Sequence, residues 1–251
     1  MPLTKILLIL AAGISAGFIN TMAGGGSLIT LPILIFLGLP AAVANGSNRV
    51  ALLVENITAV INFRDKGYFD YQFGLILALP AVIGSLIGAR IAVSISEQFF
   101  NQLLAVIMLL MLVFILWNPL KNLKLNQKEL SSSRKITAGF VFFLIGIYGG
   151  FIQAGVGIII IAALSVLTGF SLVKINSLKV FVVAIYIFSS LSIFIFNGKV
   201  DWITALILAL GNGTGSYLAS TLAVDKGEKL VKAVLTAAVS LMALYLFYIS
   251  F

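Results

Sequence analysis

The chain has 251 residues, 61% of them hydrophobic and 10% charged, with a mean hydropathy of +1.17. Soluble domains sit near about 45–50% apolar and about 25% charged, so the solvent of this protein is a lipid bilayer. With no cysteine and no histidine, it offers no disulfide framework, thiolate nucleophile, imidazole base or soft-metal site, and neither metal nor cofactor is expected.

Apolar runs follow in chain order at 5–38, 41–63, 72–94, 98–117, 136–169, 171–196, 201–223 and 229–251. Most reach the ~20 residues that cross hydrocarbon, and none alternates like a barrel strand, so an all-α polytopic membrane protein is expected. Gly24-Gly25-Gly26 leads straight into more apolar sequence, which argues against a cleaved signal peptide. The stretch 118–135 is the polar linker. The net charge of +8 is read as an excess in cytoplasmic loops and not as a nucleic-acid footprint.

Residues 1–120 recur as 132–251 in one gap-free register of 131 positions. Ala23-Gly24-Gly25-Gly26 lies over Ala154-Gly155-Val156-Gly157, Asn45 over Asn176, and Leu75-Ile76-Leu77-Ala78-Leu79 over an identical run from Leu206. Two units are therefore expected, 1–120 and 136–251, joined by 121–135. Paired units in a membrane are the pattern of transporters whose site lies between them.

The first run of each unit is too long for one ordinary span and is interrupted by glycines. It is a single broken helix, a re-entrant hairpin or two short spans. A broken helix makes the units parallel; the other two make them inverted. Loop charges separate the cases. Parallel units put 9 Lys and Arg on one side and 5 on the other. Inverted units gather Arg64, Lys66, Lys121, Lys124, Lys128, Arg134, Lys135, Lys174, Lys226, Lys229 and Lys232 against Lys5, Arg90 and Lys199, which is 11 to 3. The steeper asymmetry favours inversion, with the linker in the cytoplasm and both termini outside.

In a hairpin, Met22 to Ser27 and Gln153 to Gly157 are the tips. Backbone freed from helical bonding must be buried in protein or line a watery cavity, and new helices starting at Ser27 and Ile158 would present N–H groups that attract anions. The plainer reading is close helix packing, assigned here to Gly13, Gly17, Gly84, Gly88, Gly146 and Gly215. Just after each tip comes a polar segment inside apolar sequence: Asn45-Gly46-Ser47-Asn48-Arg49 in one unit, Asn176-Ser177-Leu178-Lys179 in the other. A charge inside a membrane costs about 2.5–3.5 kcal/mol even on the lenient scale, so it is functional by default. Converging cations, amides and glycine N–H groups make an oxyanion site of Gly24, Gly25, Gly26, Ser27, Asn45, Ser47, Asn48, Arg49, Gln153, Gly155, Gly157, Asn176, Ser177 and Lys179. The alternative is that Arg49 and Lys179 snorkel to an interface. Glu55, opposite Tyr186 in the register, is an ion-pair partner of Arg49, a loop-facing residue or a coupling group; its six-residue spacing from Arg49 disfavours pairing within the helix.

The pattern from Gly17-Phe18-Ile19-Asn20-Thr21-Met22-Ala23-Gly24-Gly25-Gly26-Ser27, through Leu31-Pro32, Gly38-Leu39-Pro40 and Ala44-Asn45-Gly46-Ser47, resembles the TauE/SafE family. Tyr68-Phe69-Asp70, Gly84-Ser85-Leu86-Ile87-Gly88-Ala89, Gly149-Gly150-Phe151 and Asn176-Ser177 continue it across the whole chain. Val156 departs from it where a third glycine might stand, which implies a tighter second tip. The resemblance implies a prokaryotic inner-membrane carrier for sulfur-containing anions such as sulfite, sulfoacetate or other organosulfonates. Alternating access driven by an ion or proton gradient is the mechanism expected, since no Walker motif is present. The competing readings are a transporter or channel for another small anion and an integral membrane enzyme. Against an enzyme stand small loops and the lack of a nucleophile–base pair. Lipid and a small anion are the expected partners, and a homodimer is one assembly open to such carriers.

Overall fold

The computed structural model describes residues 1–117 and 131–249. These form α1 (Leu3–Ala23), α2 (Ser27–Phe36), α3 (Ala41–Asp65), α4 (Tyr71–Ser94), α5 (Glu97–Trp117), α6 (Ser132–Phe151), α7 (Val156–Thr168), α8 (Leu172–Phe196) and α9 (Trp202–Ile249). No strand occurs among the described residues, and the fold is all-α. Residues 118–130 of the expected linker and 250–251 of the last run lie outside the described residues, while 132–135 already belong to α6. The runs 201–223 and 229–251 fall together in α9, which is two helices divided at Gly227, whose φ of 68° is not helical.

Four described helices, α1, α4, α6 and α8, are long and apolar enough to cross a bilayer. Helix α3 has the length, with 25 residues or about 37 Å, but not the composition. Its polar side chains are turned into the protein, where helices and not lipid meet them. The bounds of α3 shifted by 131 residues are those of α8.

The long first runs are each two helices around a break. Helix α1 ends at Gly24, whose φ of 85° lets its N–H return to the carbonyls of Ile19 and Asn20. Gly26 then rests against Ala16 and Asn20 of α1, so α2 folds back. In the second break Gly155 is left-handed and α7 starts at Val156, not at the expected Ile158. Gln153 (φ 69°) takes a left-handed conformation that glycine would ordinarily supply.

Glycine faces fix the helix directions. A Cβ on Gly13 would stand 2.9 Å from the Leu208 carbonyl oxygen, one on Gly17 would collide with the Asn212 backbone, and one on Gly215 would meet Ile14 and Phe18. Numbers rise together along α1 and α9, so these helices are parallel. The same holds for α4 and α6, where Gly84 faces Phe143 and Ile147, and Gly88 faces Ile147 and Phe151. Both pairs use small residues four apart, which lets backbones approach without a hydrophobic driving force. Helix α3 runs alongside α9, from Val54 at Gly213 to Lys66 at Asp225. Helix α8 runs alongside α4, from Lys174 at Asp70 to Tyr186 at Ser85.

Two bundles result: α1, α3 and the first part of α9 run one way, and α4, α6 and α8 the other. Because α1 and α3 are parallel, α2 must return the chain to the face where α1 began. Helix α7 does the same from the opposite face. A Cβ on either Gly24 or Gly157 would collide with the backbone of the other. The tips therefore meet where the bundles meet.

Gly17→Ala is expected to lower the unfolding free energy in detergent by about 1–3 kcal/mol through overpacking. Gly139→Ala, whose methyl would stand 3.9 Å from Pro80, should be neutral or stabilising by up to about 1 kcal/mol. Equal effects in chemical unfolding would remove close packing as the role of Gly17.

Candidate functional site

A helix that ends inside a membrane leaves its last carbonyls without partners or water. In this protein the carbonyls of each tip are met by the opposite bundle. The Arg49 guanidinium donates to the carbonyls of Gly149 (3.0 Å) and Gly150 (2.6 Å) at the end of α6, and to Ser190 Oγ (2.9 Å). It also lies 4.5 Å from the Phe194 ring centroid, a cation–π contact. The Lys179 ammonium donates to the carbonyls of Asn20 and Thr21 at the end of α1, each at 2.8 Å, and to Asn176 Oδ1 at 2.9 Å. A cation at a helix C-terminus is favoured by the dipole as well as by the hydrogen bonds.

The equivalent asparagines complete the caps. Asn45 Nδ2 donates to the Phe151 carbonyl (2.7 Å), and Asn176 Nδ2 to the Met22 carbonyl (3.1 Å). Arg49 is 0% and Lys179 2% exposed, which overturns the snorkelling alternative: their partners are backbone carbonyls at the centre. Glu55 is likewise fully buried and does not face a loop. Arg49 pairs with carbonyls and Ser190, not with Glu55.

Not every expected residue joins this centre directly. Ser47 Oγ accepts from the Asp201 N–H (2.8 Å), and Ser177 Oγ donates to the Tyr68 carbonyl (2.5 Å), tying helix ends near the two faces. Asn48 bridges Thr30 and Ser27, accepting from Thr30 Oγ1 (2.8 Å) and donating to Ser27 Oγ (3.4 Å), which locks α2 to α3. Gly24, Gly26, Ser27, Gly155 and Gly157 are in the tips as expected, with Gly25 between them. The N-caps of α2 and α7 are glycines, Gly26 and Gly155, with no side chain of their own to cap with; Asn20 Oδ1 accepts from the Gly26 N–H (3.3 Å).

Several polar residues at this level escaped the sequence reading. Glu55 accepts from Asn20 Nδ2 (2.5 Å) and Asn212 Nδ2 (2.6 Å). Asn20 thus stands between Glu55 and Lys179, its side-chain Nδ2 on the carboxylate and its main-chain carbonyl on the ammonium. Tyr186, opposite Glu55 in the register, donates through its hydroxyl to Gln153 Oε1 at 2.8 Å. Both positions tie a central helix to its own tip through an amide. Thr21 Oγ1 donates to Ser216 Oγ (2.9 Å), which donates to the Glu55 carbonyl (2.8 Å). Asn20 and Asn212 are polar letters in apolar runs, the one signal that could have found them.

A family model described as "Sulfite exporter TauE/SafE" matches residues 9–246. The chain belongs to the TauE/SafE family. Among curated relatives, it is 28% identical to the probable membrane transporter protein YfcA of Escherichia coli strain K12, over 93% of this chain and 86% of the relative. It is 27% identical to the probable membrane transporter protein ORF9 of a Sinorhizobium species, over 89% and 85%. Against the probable membrane transporter protein YunE of Bacillus subtilis, identity is 20% over 97% and 98%. No solved structure matches. This TauE/SafE protein is a membrane transporter.

Arg49→Ala would orphan the buried carbonyls of Gly149 and Gly150, at about 1–3 kcal/mol for each. Lys179→Ala would do the same to Asn20 and Thr21. Both variants should unfold at lower denaturant than wild type in detergent micelles, and Arg49→Lys should recover part of the loss. Wild-type unfolding in both alanine variants would show that the caps do not support the tips.

Proposed function

We propose that this protein is a secondary transporter, not an enzyme, moving small sulfur-containing oxyanions such as sulfite or organosulfonates across a prokaryotic inner membrane by alternating access. The observation that carries the reading is the closed centre: two glycine tips from opposite faces touch, with Arg49, Lys179, Asn45 and Asn176 gathered around them. Cations and amides held away from water suit an oxyanion. The family's name points to sulfite.

The two units are inverted repeats. Equivalent helices α1 and α6, α3 and α8, and α4 and the first part of α9 run in opposite directions, which supports this. The face bearing Arg64, Lys66, Lys174 and Lys226 is the cytoplasmic one. The moving bodies are the two bundles, not the two repeats, since each bundle is sealed internally by its glycine faces and ion pairs. Lys66–Asp225 (2.5 Å) joins α3 to α9, and Lys174–Asp70 (3.3 Å) joins α8 to the start of α4. The cation caps cross between bundles. Substrate enters when one side of that seam opens, its oxygens competing with helix-end carbonyls for the cations. Glu55, bonded to tip 1 through Asn20, couples a proton to the movement.

Labelled sulfite and sulfoacetate should enter proteoliposomes containing the protein, faster with an imposed proton gradient. Glu55→Gln should keep downhill exchange and lose the stimulation by the gradient. No flux of either anion would refute the substrate class, and gradient-driven flux unchanged in Glu55→Gln would remove the coupling role.

A further inference from the structure

The two caps are built alike but are not completed alike. In the second repeat Lys179 spends its three N–H groups on Asn20, Thr21 and Asn176 Oδ1, and the Asn176 amide spends its Nδ2 on Met22. That pair is closed on itself. In the first repeat Asn45 Nδ2 is held by the Phe151 carbonyl and Arg49 by Gly149, Gly150 and Ser190. Yet Asn45 Oδ1 and Arg49 Nε, both fully buried, have no hydrogen-bond partner among the described residues.

Leaving a buried donor and a buried acceptor unmade costs about 1–3 kcal/mol each. Turning the Asn45 amide over does not remove the cost, because it would set Oδ1 against the Phe151 carbonyl oxygen and lose that bond. The two atoms belong to residues four apart on one face of α3. Both side chains grip the last turn of α6, immediately before the break at 152–155.

Resting on the reading of the protein as a carrier of sulfur oxyanions, we propose that the substrate binds at the second tip between Arg49 and Asn45, and that it is an oxyanion carrying its own hydrogen-bond donor. Arg49 Nε–H takes an anionic oxygen. Asn45 Oδ1 accepts from a hydroxyl or ammonium group of the same molecule. Hydroxy- and aminosulfonates have this chemistry and plain alkylsulfonates do not. Lys179 is the closed partner that holds tip 1.

The test compares 2-hydroxyethanesulfonate with ethanesulfonate, ligands differing by one hydroxyl, by calorimetric binding to the purified full-length protein in detergent. Wild type is expected to bind the hydroxyl compound about tenfold more tightly, the worth of one hydrogen bond. Asn45→Ala should bring the two affinities together, and Arg49→Lys should weaken both ligands while keeping the preference. The ratio of affinities is the readout, because loss of folded protein lowers binding of both ligands without altering it. Equal wild-type affinities, or a preference kept in Asn45→Ala, would overturn this proposal and leave the sulfonate reading standing. Binding of neither sulfonate nor sulfite would overturn that reading and this one with it.

Discussion

Everything at the centre of this protein follows from ending helices where there is no water. A broken helix leaves backbone carbonyls unpaired, and in hydrocarbon each costs several kcal/mol. The break at each tip is stable only if other parts of the chain supply donors at that depth. Arg49 with Asn45, and Lys179 with Asn176, are those donors. Burying them is costly in its turn, so cation and carbonyl each make the other tolerable.

Such mutual satisfaction constrains topology. Each cap must reach across to a tip entering from the opposite face, so the helices carrying the caps must run antiparallel and lie at the centre. The glycine faces of α1 with α9 and α4 with α6 make this arrangement compact. They seal the flanks by direct backbone approach and leave α3 and α8 to face each other. The polar composition of α3, unsuited to lipid, is the consequence of its central place.

Much of this was legible in the sequence because it is written in residue types that a membrane makes expensive. Spacing placed α3 and α8 to within a few residues, and Arg49 and Lys179 stood out as charges without loops. Their acceptors did not, because backbone carbonyls carry no letter. The same blindness hid the roles of Asn20, Asn212 and Ser190, whose partners lie far away in sequence. Tyr186 looked like a mere absence of Glu55, since a hydroxyl reaching a tip amide depends on tertiary placement. The early start of α7 was unreadable for a local reason: a glutamine, not a glycine, takes the left-handed turn at 153.

The seam needs both parts of this short chain. Residues 1–117 supply the tip at Gly24 without its cap and the cap Arg49 without its tip; residues 131–249 complete both. Each bundle contains helices from both parts of the chain, joined by the glycine faces of α1 with α9 and of α4 with α6. The tips and caps lie on the surface between bundles. The two caps are not completed alike. One can be completed for strength, as Lys179 and Asn176 are, while Arg49 and Asn45 keep unspent valence at the same depth. A perfectly symmetric pair would have to accept the same compromise twice.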